Sequence, residues 1–146
     1  MRRLIFTVMV AASACSHAAN WSRIAINNVG TVEEVTTDVD LTSIRFRDGY
    51  RQAWSRFSYT TEQIDPLNPG GKRYLTLMYL GLYDCKNAEA ARIALAVYTD
   101  RFGGGDLIRR IDLSRAEGIA GLRAVLPGTI ADEMKNAVCT GRIAAT

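Results

Sequence analysis

The chain has 146 residues, with 18 basic and 15 acidic side chains, one histidine, 48% hydrophobic and 8% aromatic content. That length makes one domain, and the apolar fraction excludes an intrinsically disordered chain. A formal charge of +3 is too small to be the basic footprint of a nucleic-acid binder.

The first feature in chain order is an export signal. Arg2 and Arg3 precede an apolar run over residues 4–12, and Ser16-His17-Ala18 precedes Ala19 as a cleavage sequence. The run is far shorter than the ~20 residues of a membrane span. Residues 1–18 are therefore read as a signal peptide, and residues 19–146 as the exported domain, in the periplasm or at the cell surface with no transmembrane segment. Ala12-Ser13-Ala14-Cys15 also resembles the box that directs cleavage before an acylated cysteine, with Ala12 where that box usually has leucine. A lipid anchor at Cys15 stays open beside soluble release. By either route Cys15 is spent, and in an oxidising compartment the remaining Cys85 and Cys139 are expected to form one disulfide.

Beyond residue 19 the dominant period is two. Residues 21–27 alternate as a first strand, and residues 32–39, rich in Val and Thr after the Asn28 to Gly30 turn signal, make a second; the two form a hairpin. Residues 40–44 suit one helical turn, and Arg47-Asp48-Gly49 is a turn before a strand over residues 50–59, with Trp54 and Phe57 on opposite faces. The Pro- and Gly-rich residues 65–71 are a surface loop. Residues 74–84 are apolar on both faces, which places that strand in the middle of a sheet, with Cys85 in phase with Leu75, Leu77, Tyr79 and Tyr83. A strand is expected from Arg92, although residues 87–96 are alanine-rich enough to suit a helix. Gly103-Gly104-Gly105-Asp106 turns the chain into a strand over residues 107–113; it lacks the lysine and helix of a phosphate-binding loop.

The last element has a helical period. Ile130, Met134, Ala137 and Val138 share a face, Thr129 is the N-cap, Asp132 and Glu133 suit the positive end of the dipole, and Gly141 ends the helix. On an ideal wheel Cys139 points away from that apolar face, at ~100° per residue, so the final turn is expected to unwind or bend to reach Cys85.

Once His17 is removed, histidine-based catalysis is excluded, and no zinc, calcium-loop or Cys-x-x-Cys spacing is present. No catalytic, cofactor-binding or metal-binding residue is assigned. The pairs Asp38 with Asp40 and Asp84 with Glu89 read as surface acids in turns, not a hydrolytic pair. Trp21 and Trp54 read as core residues. Arg45, Arg47, Arg51, Arg56, Lys72 and Arg73 read either as a solvated face or as a basic patch for an acidic protein partner.

The order of a tryptophan at the mature start, Tyr83-Asp84-Cys85, a strand from Arg92 to Tyr98, and Pro127-Gly128-Thr129 leading into Val138-Cys139 resembles the surface-adhesin protein E family. Leu122 stands where that family often has a tryptophan. The resemblance implies an α+β fold: a curved antiparallel sheet of about six strands with the C-terminal helix tied to its concave face by the disulfide. It also implies a non-enzymatic protein-binding module without cofactor, contacting a host extracellular matrix or serum protein. The alternative is an envelope protein of structural or stress role, and a homodimer is left open.

Overall fold

The computed structural model describes residues 19–65 and 68–143; the expected export segment at residues 1–18, and Pro66 and Leu67 of the proline loop, lie outside the described residues. One antiparallel sheet contains β1 (Trp21–Asn27), β2 (Val35–Asp40), β3 (Arg45–Arg47), β4 (Tyr50–Gln63), β5 (Tyr74–Asp84), β6 (Glu89–Tyr98), β7 (Leu107–Asp112) and β8 (Arg123–Ala124). The main path β1-β2-β4-β5-β6-β7 is the expected curved sheet of six strands. Two short strands extend it: β3 pairs with β4, and β8 with β6. The doubly apolar β5 lies between β4 and β6, as its composition requires.

Two helices complete the chain, α1 (Arg115–Ala120) and α2 (Ile130–Thr140). On α2 Thr129 accepts from the Asp132 N–H at 3.3 Å, and Gly141 closes the helix in the left-handed region at φ 71°. Met134, Ala137 and Val138 are buried against the sheet face that carries Val39, Ala53 and Tyr83, and this cluster is the main core. The Tyr79 hydroxyl donates to Met134 Sδ at 3.0 Å, and burial pushes the Tyr79 and Tyr83 phenols well above the usual tyrosine range.

The opposite face is covered at its two ends. At one end α1 packs so closely that a Cβ on Gly118 would lie 2.1 Å from Ile93 Cγ2, so only glycine fits beside the buried Leu82 and Ile93. At the other end the turn Arg101–Gly103 folds back, its Phe102 and Gly103 N–H groups donating to Ser58 Oγ and Thr76 Oγ1 at 3.1 and 3.0 Å.

Cys85 and Cys139 form the expected disulfide, with Cα atoms 5.7 Å apart. The expected unwinding of the last turn does not occur, since α2 is regular through Thr140. Cys85 lies in the turn beyond β5, not within the strand, so the bridge meets the helix without needing Cys139 on the apolar stripe. Two strand starts also move. β2 begins at Val35, because residues 28–34 are taken up by turns closed from Thr31 N–H to Asn28 O and from Glu34 N–H to Thr31 O. β6 begins at Glu89, where pairing of Ala90 with Tyr83 and of Glu89 with Asp84 overrides the helical preference of the alanines.

Candidate functional site

The sheet separates the six cations read as a patch. Arg45 and Arg47 stand on β3, whereas Lys72 and Arg73 precede β5, whose first residue pairs with Gln63 at the far end of β4. From Tyr83, opposite Arg51, to Tyr74, opposite Gln63, β5 advances nine residues, so at ~3.3 Å per residue the two groups are separated by about 30 Å along the strand. Arg51 lies opposite Phe46, level with the β3 cations, and Arg56 lies between the two groups; the two differ in parity and point to opposite faces. Arg51 donates from Nη1 to the Val138 carbonyl at 3.1 Å, satisfying the C-terminal turn of α2. Lys72 is paired with Asp106 at 3.2 Å.

Arg56 belongs to a row across three strands. Register places Arg23 of β1 opposite Asp38 of β2, and Asp38 opposite Arg56 of β4. Both arginines bond Asp38, Arg23 Nε to Oδ1 at 2.6 Å and Arg56 Nε to Oδ2 at 2.8 Å, and the carboxylate is 2% exposed. Arg56 is also stacked 4.3 Å from the Trp21 ring and 5.2 Å from Phe102. The reading of Asp38 and Asp40 as surface acids is therefore corrected: Asp38 is a buried ion-pair centre. Asp40 is buried too, where it accepts from Thr42 N, Thr42 Oγ1 and Asn20 N. Both acids are occupied by structural partners. Asp84 accepts from the Asn87 and Lys86 N–H groups, which hold its carboxyl below the usual range.

Trp21 and Trp54 are half-buried on the face away from α2, not in the core. With Met78, Tyr98 and Arg110 they line a shallow cleft of about 240 Å³. Arg110 lies 5.8 Å from the Trp54 ring and makes two bonds to Asp112, at 2.7 and 2.8 Å, that lower the Asp112 carboxyl's pKa.

β3 presents Arg45, Phe46 and Arg47, all exposed, and Phe46 is 73% exposed. One edge of this ribbon pairs with β4, and no strand pairs with the other among the described residues. The ribbon is held firmly. Asp48 and Gly49 take positive φ at 50° and 85°, the tight hairpin geometry, and Arg115 of α1 donates to the Arg47 carbonyl at 2.6 Å while lying 3.5 Å from Asp48. Arg45 Nη1 donates to the Thr42 and Ile44 carbonyls at 2.9 Å. The result is a rigid edge carrying one large exposed apolar side chain between two cations.

Among the described residues no cluster of His, Cys, Asp or Glu could hold a metal ion, and no helix is long and apolar enough to cross a membrane. The chain matches surface-adhesin protein E over residues 21–140. It belongs to the surface-adhesin protein E family. No curated protein sequence matches it significantly. Crystal form II of Haemophilus influenzae protein E is similar at TM-score 0.55 and 12% identity, over 92% of this chain and 97% of that one. Protein E from non-typeable Haemophilus influenzae is similar at TM-score 0.52 and 14% identity, over 94% and 89%. At these identities the likeness is one of fold, and ligands do not transfer with a fold. Within the surface-adhesin protein E fold, any contact rests on this chain's own residues; the sequence pointed to Arg45 and Arg47 but not to Phe46 between them, because a three-residue strand exposed on both faces has no period.

Proposed function

We propose that this member of the surface-adhesin protein E family is an exported, non-enzymatic protein-binding module, freed of residues 1–18 and acting at the cell surface on host extracellular matrix or serum proteins. The observation that carries the proposal is Phe46 on an unpaired edge between Arg45 and Arg47, in a chain of an adhesin family. An exposed aromatic is an anchor, free backbone groups on an edge accept an extended segment, and flanking cations steer an acidic partner. Arg51 and Arg56 drop out of the six-cation patch because Val138 and Asp38 hold them; of the two remaining groups the β3 ribbon is preferred because it alone has an exposed aromatic between its cations, although Arg47 pairs with Asp48 at 3.4 Å as Lys72 does with Asp106.

Immobilised host matrix and serum proteins, with bacterial envelope extract beside them, provide the test. Wild type is expected to bind the host proteins. Phe46→Ala combined with Arg45→Glu and Arg47→Glu should lower affinity at least ten-fold, while Lys72→Glu with Arg73→Glu leaves it unchanged. Binding should also weaken with salt, as the Debye length falls from about 10 Å at 0.1 M to about 3 Å at 1 M. Binding that ignores the β3 changes would remove this surface, and binding to envelope components alone would assign a structural or stress role in the envelope.

A further inference from the structure

α2 does not lie flush on the sheet along its whole length. Between its first turns, the strand β8 and the sheet face there is a cleft of about 500 Å³, within the ~300–1,000 Å³ range of small-molecule sites. Its lining is apolar, with Phe57 and Tyr79 stacked at 5.6 Å, Tyr79 and Met134 in contact and buried at its floor, and Ile130 and Leu126, the latter 70% exposed, at its sides.

Two side chains in that lining carry charge, Arg92 and Arg123, and both are cations. Their placement follows from register. Arg123 on β8 lies opposite Ala90 of β6, and Arg92 is two residues further along β6, so the two arginines share a face as diagonal neighbours roughly 7–8 Å apart at the backbone. Neither makes an ion pair among the described residues. Arg92 stacks 4.8 Å from the Tyr79 ring, and Arg123 gives Nη1 to the Ala120 and Leu122 carbonyls at 3.1 and 2.6 Å, its other guanidinium nitrogens having no protein partner among the described residues. Both arginines are exposed, and unlike Arg23, Arg56 and Arg109, which have carboxylates within 2.8 Å, they have none to neutralise them among the described residues. Two unneutralised guanidiniums beside an apolar cleft are complementary to an anion joined to an apolar tail.

We propose that this cleft binds a single-chain carboxylate amphiphile, with the alkyl chain on Phe57, Leu126 and Ile130 and the carboxylate between Arg92 and Arg123. The site is separate from the β3 ribbon and does not depend on protein binding there.

Calorimetric titration of the purified protein with laurate tests it, with dodecyl maltoside as a neutral amphiphile of the same chain and acetate as the charge without the chain. All titrations stay below the concentrations at which the amphiphiles form micelles. Laurate is expected to bind with one-to-one stoichiometry, and the other two at least ten-fold more weakly. Arg92→Ala and Arg123→Ala should each weaken laurate by roughly ten- to hundred-fold, the range for losing a charge-assisted hydrogen bond. Because Ala131 is exposed and lines the cleft, Ala131→Trp should block binding with both arginines and the fold intact, the latter checked by circular dichroism. Equal affinity for laurate and dodecyl maltoside, laurate binding unchanged in the two arginine variants, or no laurate binding would each overturn the proposal.

Discussion

A carboxylate buried within a sheet is stable only if its neighbours bring it cations, and Asp38 has one on each side. The two are not equivalent: the Arg23 side chain is 47% exposed, whereas Arg56 is 13% exposed and fixed against Trp21 and Phe102. Asp38→Ala should therefore cost about 3 kcal/mol in urea unfolding, the lower end for breaking a buried pair. Arg23→Ala should cost under about 1 kcal/mol, because Arg56 still neutralises the carboxylate. Equal costs would contradict the assignment of Arg56 as the main partner. Alternation alone could place Asp38 on a strand, but not show that register sets Arg23 and Arg56 on either side of it; that information lies in the pairing of three strands. Tyr79 gives a second prediction. Below the ordinary tyrosine pKa of 10.0 the folded and unfolded chains both keep the proton and its contribution to stability is complete. Above that pH the unfolded chain ionises while burial keeps the folded phenol protonated, so stability falls as pH rises towards the folded value. Urea midpoints measured from pH 9 upward should decline, and Tyr79→Phe should flatten the decline; an identical slope in the variant would assign the effect elsewhere.

The elements differ in how plainly the chain announces them. β5 and α2 were legible because each carries a sustained period of two or 3.6, and α2 has both caps. α1 was passed over although Ser114 and Glu117 form a capping box, with Ser114 N–H to Glu117 Oε2 at 2.7 Å and Glu117 N–H to Ser114 Oγ at 3.2 Å; its six residues are too few for a clear apolar stripe. β8, with two residues, has no period at all and exists through its pairing with Glu89 and Ala90. The expected unwinding of α2 failed because Cys85 was read in phase with β5, whereas it lies in the turn that follows the strand, where its direction is not set by the strand's alternation. The disulfide joins these two elements across 54 residues, for which loop-closure entropy gives about 4 kcal/mol. Replacing both cysteines by serine should lower the unfolding free energy by about that amount, measured by urea denaturation. A loss below about 1 kcal/mol would mean that the core of Val39, Tyr83 and Val138 holds α2 without the bridge.

At the scale of the molecule, the sheet gives each face a different task. One face is filled by α2, the other is covered at its ends by α1 and the Phe102 turn, and the recognition features remain at the edge and in the clefts. The surface-adhesin protein E family and its fold were legible from the order of short motifs spread along the whole domain, because that order fixes the strand sequence, the bridge and the final helix together. The proposed contact surface was less so, since neighbouring cations in sequence are carried to opposite ends of a 14-residue strand. The central claim, a binding module presented outside the cell, is tested most directly by antibody raised against residues 19–146 and applied to intact cells of the source bacterium. Labelling of intact cells equal to that of permeabilised cells is the predicted result. Labelling only after the outer membrane is permeabilised would contradict the claim and place the protein among the components of the envelope interior.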